Sequence, residues 1–147
     1  MYLISACLAG VNCKYSGGNN LDPRLVKLLE EKKAILVCPE QLGGLTTPRL
    51  PSEIVCNESD GKRVVNIEGK NVTKEFVKGA EETLKIAKLT GAKVAILKAR
   101  SPSCGKGRIY DGQFKNILIV GNGITTELLE KNGIKVYTEE DDIENLK

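Results

Sequence analysis

Three short apolar runs in this sequence, at positions 2–6, 34–37 and 94–97, have the residues of buried β-strands. A cysteine lies just past each run, namely Cys7, Cys38 and Cys104. Between the runs, apolar residues recur at helical spacing, which favours parallel strands joined by helices. The carboxyl ends of parallel strands meet at one edge of a sheet, where open α/β sheets bind ligands. The sequence therefore predicts three thiols from distant motifs in one crevice.

The length and the pattern of apolar residues predict one domain over residues 1–147. Its predicted fold is a Rossmann-like three-layer α/β/α domain with a mostly parallel sheet and a small β-hairpin insertion. Further strands are expected at 117–120 and 134–137, and the hairpin at 53–57 and 63–67. Helices are expected after the capping residue Asp22 and over 72–89 and 124–132, with Gly91 and Gly133 as their left-handed ends. Residues 41–51, with two glycines and two prolines, predict an irregular loop.

The absence of histidine excludes Ser-His and Cys-His catalysis, mixed Cys/His zinc sites and an imidazole base. The net charge is +3, and acidic residues crowd near the C-terminus, so the remainder is more basic. That excess favours an anionic small ligand over a nucleic-acid-binding stripe. The sequence has neither a signal peptide pattern nor an apolar run of about 18 residues, so we expect a cytoplasmic protein without membrane contact. In the cytoplasm, we expect the five cysteines to be free thiols or cluster ligands rather than partners in disulfides.

The spacing of the cysteines narrows the possible metal sites. No CxxC pair is present, which argues against a zinc ribbon, and the gaps of 31 and 66 residues match no local ferredoxin signature. Ligands from three strand-end loops suit a cubane iron-sulfur cluster with its fourth iron open to substrate. The alternative is that these cysteines pack as small apolar side chains. A non-catalytic cluster or metal carrier, and a thiol oxidoreductase using Cys7 and Cys13, are further alternatives.

Polar residues near the three thiols are candidates for chemistry. Glu40 lies two residues after Cys38. It is either a general acid or base for the site or an ordinary surface acid. Serines flank Cys104, where their hydroxyls can contact a cluster or a substrate. Basic residues that can hold a phosphate, and a glycine that lets backbone amides approach an anion, complete the set: Lys98, Arg100, Lys106 and Gly10. No dinucleotide or Walker A motif supports NAD or ATP binding.

Several motifs match a known family in order and over nearly the full length. They are ISACLAG at 4–10, YSGG at 15–18, VCPE at 37–40, KARSPSCG at 98–105, GNGIT at 121–125 and NGIKVY at 132–137. With these motifs the chain resembles the TudS-like thiouracil desulfurases. The resemblance implies a desulfidase that holds a 4Fe-4S cluster on Cys7, Cys38 and Cys104. It also implies that the sulfur of a thiolated uracil passes to the open iron while water replaces it on the base, without redox change.

The resemblance also assigns roles to the surrounding residues. Glu40 would protonate the base or activate the water, and Ser101 would position or polarise the base, with Ser103 as a second candidate. The expected substrate is a small molecule, free thiouracil or a 4-thiouridine monophosphate whose phosphate pairs with the basic residues. RNA is less favoured, and the oligomeric state is left open. Cys13 is expected to be dispensable and Cys56, in the hairpin, to be structural.

Overall fold

A computed structural model describes residues 1–57 and 61–146 of the protein. The elements, in chain order, are β1 (Tyr2–Ser5), a 3₁₀ helix (Ala6–Ala9), α1 (Pro23–Glu30), β2 (Ala34–Val37), α2 (Pro39–Leu42), β3 (Ser52–Asn57), β4 (Gly61–Asn66), α3 (Thr73–Thr90), β5 (Val94–Leu97), β6 (Arg108–Tyr110), β7 (Leu118–Val120), α4 (Ile124–Lys131), β8 (Lys135–Thr138) and a 3₁₀ turn (Ile143–Asn145). Among these helices, none has the length and hydropathy needed to cross a membrane.

The centre of the fold is a four-stranded sheet in the order β2-β1-β5-β8, with all neighbours parallel. Successive side chains of a strand point to opposite faces. Leu3 therefore packs on one face with Ala87 of α3 and Leu129 of α4. Ile4 packs on the other face with Leu25 of α1. Helices cover both faces, so the predicted α/β class with a parallel sheet is confirmed.

The helix ends follow the local sequence chemistry. Asp22 caps α1, because its side chain accepts a hydrogen bond from the backbone N–H of Arg24 at 3.0 Å, and Pro23 occupies the first turn. Gly91 ends α3 with a φ of +69°, the left-handed conformation that glycine adopts without steric cost. The predicted helices at these positions are confirmed.

The α-helix α2 was not predicted, because it lies where the sequence indicated the beginning of a loop. Pro39 begins it, in the first-turn position that tolerates a missing N–H. The helix crosses α3 at Gly43 and Gly79, where an added Cβ would overlap the carbonyl oxygens of Glu75 and Pro39 respectively. Gly43 therefore serves backbone packing rather than the loop chemistry that the composition of residues 41–51 indicated.

Two antiparallel hairpins stand beside the parallel sheet. β3 and β4 form the predicted insertion, and its turn sequence lies outside the described residues. β7 confirms the short strand expected near 117–120, but it pairs antiparallel with β6, as Ile109 opposite Ile119 illustrates. The three-residue β6 is too short to give a recognisable alternating pattern.

Candidate active site

A cavity of about 410 Å³ opens at the carboxyl ends of β1, β2 and β5. Its lining includes Cys7, Cys38 and Cys104, so the structure brings the three predicted thiols to one crevice. Cavities that bind small ligands have volumes of this order, and this edge is where open α/β sheets hold them. All five cysteines of the chain are free thiols.

Each of the three cysteines lies in a different type of local backbone structure. Cys7 lies in the 3₁₀ helix that continues directly from β1, whereas Cys38 occupies the N-cap position of α2. Cys104 lies in the loop after β5, where its backbone N–H donates to Ser101 Oγ at 2.7 Å. The start of α4 packs tightly on this loop, because an added Cβ on Gly123 would lie 2.5 Å from the Ser103 carbonyl oxygen.

A fourth thiol, Cys13, also lines the cavity and is only 2% exposed. Hydrogen bonding with Cys13 lowers the pKa of Cys7 to about 7 and the pKa of Cys38 to about 6, and it raises the pKa of Cys13 itself. The sequence offered Cys13 only as a partner of Cys7 in the alternative thiol oxidoreductase and otherwise as dispensable, and its dispensability stays a prediction. Cys56 is exposed, so it is not a core residue.

The Cys104 thiol has a different environment. Burial raises its pKa to about 12. Two hydroxyl groups face its sulfur, with Ser103 Oγ at 3.4 Å and Ser5 Oγ at 3.6 Å. Ser5 Oγ in turn accepts the backbone N–H of Lys98 at 2.9 Å. These contacts orient the sulfur toward the cavity, and a bound metal would make it a thiolate.

A carboxylate and two hydroxyls form a continuous network beside the thiols. Ser103 Oγ donates to Glu40 Oε2 at 2.9 Å and lies 3.2 Å from Ser101 Oγ. A hydroxyl has one proton, so Ser103 donates it to Glu40 and accepts from Ser101. Arg49 Nε donates to the other carboxylate oxygen, Oε1, at 3.1 Å. Glu40 is thus not an ordinary surface acid, since its side chain is 17% exposed and partnered on both oxygens.

Arg49 connects this network to the segment between the motifs at 4–10 and 15–18. Its guanidinium also donates to the Cys13 carbonyl at 2.9 Å and to Thr47 Oγ1 at 2.9 Å. Its side chain is 7% exposed. Arg49 was missed because it lies within the segment interpreted as a loop, and its contact with Cys13 spans 36 residues.

The predicted basic residues divide between two places. Lys98 and Arg100 line the cavity, but each is paired with an acid of the C-terminal segment, Glu139 at 2.8 Å and Glu140 at 3.0 Å. Lys106 lines a separate depression, paired with Glu130. Gly10 ends the 3₁₀ helix with a φ of +95° and is not among the cavity residues in the described part of the chain.

The donor set of the cavity fits an iron-sulfur group. Thiolates are the protein ligands of such clusters, and Cys7, Cys38 and Cys104 supply three of them. Within residues 1–57 and 61–146, no three His, Cys, Asp or Glu side chains lie close enough together to hold a single metal ion. The thiols reach the cavity from three separate elements, as ligands to different irons of one cluster do.

Fold and site together define an α/β protein that gathers thiols and a carboxylate–hydroxyl network at the carboxyl edge of a parallel sheet. The 2-thiouracil desulfurase family matches residues 2–141, and the chain belongs to that family. It is 42% identical over 144 residues to the uncharacterized protein YbbK of Bacillus subtilis strain 168, covering 95% of each chain. It is also similar to the solved structure of TudS, a [4Fe-4S]-dependent thiouracil desulfidase, with 41% identity, a TM-score of 0.88, and coverage of 97% of this chain and 93% of that one.

Proposed function

We propose that this protein removes the sulfur atom from a thiolated uracil, with water supplying the oxygen that replaces it. The observation that carries the proposal is the cavity in which three cysteines from distant motifs lie beside Glu40 and its hydroxyl partners. Membership of the 2-thiouracil desulfurase family and the likeness to TudS support the same chemistry.

The cofactor in this proposal is a 4Fe-4S cluster. Cys7, Cys38 and Cys104 would hold it as thiolates, which leaves one of the four irons without a protein ligand. When bound, the cluster supplies this open iron as the acceptor of the substrate's sulfur. TudS, similar over nearly the whole chain, is [4Fe-4S]-dependent. A reducing compartment such as the cytoplasm keeps thiols of this kind available.

The protein's own residues then handle the protons. The Glu40 carboxylate takes a proton from water as the water oxygen bonds to the carbon that carries the sulfur. Glu40 returns this proton to the sulfur and then takes the proton of the new hydroxyl, as the carbon–oxygen double bond forms, the carbon–sulfur bond breaks and the sulfur leaves as HS⁻. Carbon keeps its oxidation state, so the net reaction is a hydrolysis. Ser101 would position or polarise the uracil ring. Its hydroxyl also contacts Ser103, which in turn donates to Glu40.

The substrate is a small thiolated uracil, as base or nucleotide. Lys98 and Arg100 are the cavity residues proposed to receive a monophosphate, and each now faces a carboxylate. A phosphate therefore has to take the place of Glu139 or Glu140, whereas an uncharged base meets no such competition. Comparing 4-thiouracil with 4-thiouridine monophosphate tests this difference directly.

Turnover by the cluster-loaded protein tests the proposal. Protein reconstituted without oxygen should convert 4-thiouracil to uracil, with loss of the thiocarbonyl absorption and release of one sulfide per uracil. Glu40→Gln is the matched control, because it keeps the size of the side chain and removes the base. We expect that variant to retain iron and lose turnover. A carrier would keep its function in Glu40→Gln, and a loaded parent that acts on no thiolated uracil would refute the proposal.

Iron and sulfide content tests the ligand set separately. We expect about four irons and four sulfides per chain in the parent, and loss of both in Cys7→Ala, Cys38→Ala and Cys104→Ala. Zinc in place of iron, or full iron content in any of the three variants, would contradict the assignment.

A further inference from the structure

The cavity has an aromatic wall that the proposed chemistry does not use. Of the six aromatic side chains in the sequence, Tyr15, Tyr110 and Phe114 line it. The other phenylalanine, Phe76, is 1% exposed in the core. Phe114 is only half-buried, which leaves apolar ring surface toward the cavity. An aromatic face that lines a polar cavity is suited to hold a planar ring.

The loop that carries Phe114 has an unusual backbone. Phe114 has a φ of +57° and Asn116 a φ of +60°, both in the left-handed region that side chains other than glycine rarely adopt. Gly112 in the same loop has a φ of +94°. Such conformations cost free energy and persist where the surroundings fix them, which occurs most often at ligand sites.

A buried carboxylate fixes this loop. Glu53 of β3 is 8% exposed, and its Oε1 accepts the backbone N–H groups of Gly112 at 3.0 Å and Phe114 at 3.1 Å. The loop also approaches β3 closely, because an added Cβ on Gly112 would lie 2.8 Å from the Ile54 carbonyl oxygen. Glu53 thus holds the loop against β3 with Phe114 at the cavity.

We propose that Phe114 is the stacking wall of a pyrimidine subsite and that Glu53 is the positioning residue that holds it there. The inference rests on the proposed function, because that function places a uracil ring in this cavity. Glu40 and Ser103 provide polar groups for the edge of the ring, and an aromatic side chain recognises its face. The subsite would recognise the planar ring of the base rather than a sugar or a phosphate.

Binding of uracil, the product, tests the subsite without turnover. Uracil is titrated by calorimetry into cluster-loaded protein, and KM and kcat for 4-thiouracil are measured on the same samples. Phe114→Leu keeps the apolar bulk and removes the ring, whereas Phe114→Tyr keeps the ring. We expect Phe114→Leu to weaken uracil binding by about 5- to 100-fold and to raise KM more than it lowers kcat, with iron content unchanged. Phe114→Tyr should bind uracil with an affinity within about threefold of the parent's. Equal affinity in the parent and Phe114→Leu would overturn the inference.

A double-mutant cycle tests the role of Glu53. Glu53→Gln keeps an acceptor oxygen and loses the charge, so it loosens the loop with little risk to folding. Acting through Phe114, it should weaken uracil binding in the parent and have no further effect in Phe114→Leu. Additive losses would overturn the positioning role. If the unsubstituted protein binds uracil more tightly than Phe114→Leu does but desulfurates no thiolated uracil, the proposed function is refuted and the subsite is retained. Desulfuration with an unaffected Phe114→Leu would refute the subsite alone.

Discussion

Removing the charge of Arg49 should destabilise the protein strongly, because it leaves the Glu40 carboxylate buried without its cation. The two side chains are 7% and 17% exposed, so water screens the pair poorly. Breaking a buried pair by removing one partner costs about 3–5 kcal/mol. Arg49→Met preserves the approximate volume of the side chain while removing four hydrogen bonds, to Glu40, Thr46, Thr47 and Cys13. At an m-value of about 2 kcal/mol/M, the urea midpoint should fall by about 1.5–2.5 M.

The double-mutant cycle of Arg49→Met with Glu40→Gln gives the decisive measurement. Urea unfolding is followed without oxygen, with all four proteins at the same iron content. The double variant has no unpaired charge, so its loss of stability should be smaller than the sum of the single losses. Arg49→Lys keeps the charge but not the planar fork, and we expect an intermediate loss. Additive single losses, or a loss below about 1 kcal/mol in Arg49→Met, would refute the reasoning.

Three further predictions concern the elements that support the site. Gly79→Ala should lower the free energy of unfolding by about 1–3 kcal/mol and also reduce turnover, because the new Cβ displaces the first residue of α2; urea unfolding and the 4-thiouracil assay check this. Asp22→Ala should cost about 1 kcal/mol at neutral pH through loss of the α1 cap. Because the hydrogen bond from Arg24 lowers the pKa of Asp22, this difference is present above the carboxyl's unfolded pKa and disappears as pH falls through the folded value, which thermal unfolding across acidic pH measures. Cys13→Ser should retain the parent's iron content, and iron loss in that variant would assign Cys13 to the ligand set.

Local sequence patterns predicted the parts of the fold that depend on neighbouring residues. The strands that end at the sheet edge, the cap at Asp22 and the helix end at Gly91 each follow from a few consecutive residues. The gathering of Cys7, Cys38 and Cys104 followed from one further rule, that parallel strands share an edge. The family resemblance then supplied what spacing left open, the choice of an iron-sulfur cluster over simple packing.

The parts that were missed depend on contacts between distant residues. Glu40 and Ser103 were both predicted as site residues, but the hydrogen bond that joins them across 63 residues was not. The contact of Glu53 with the Phe114 loop spans 61 residues. The periodicity of apolar residues describes one helix or strand at a time, so it cannot predict a contact between side chains of two distant segments. Gly79 lies within the predicted helix over 72–89, and no pattern within that helix indicates that the backbone of α2 crosses it there.

The fold forms the cavity from elements that do not need a metal to pack. Leu3 and Ile4 anchor cores on the two faces of the sheet, and Cys104 and Cys7 belong to these same cores. A chain of 147 residues buries enough surface to fold on such cores, unlike the small metal domains that are unfolded without their ion. We therefore expect the protein to fold without a bound cluster. In the proposed mechanism, the network from Arg49 through Glu40 would already be in place before substrate binds, and a carboxylate held in this way would need little reorganisation during proton transfer.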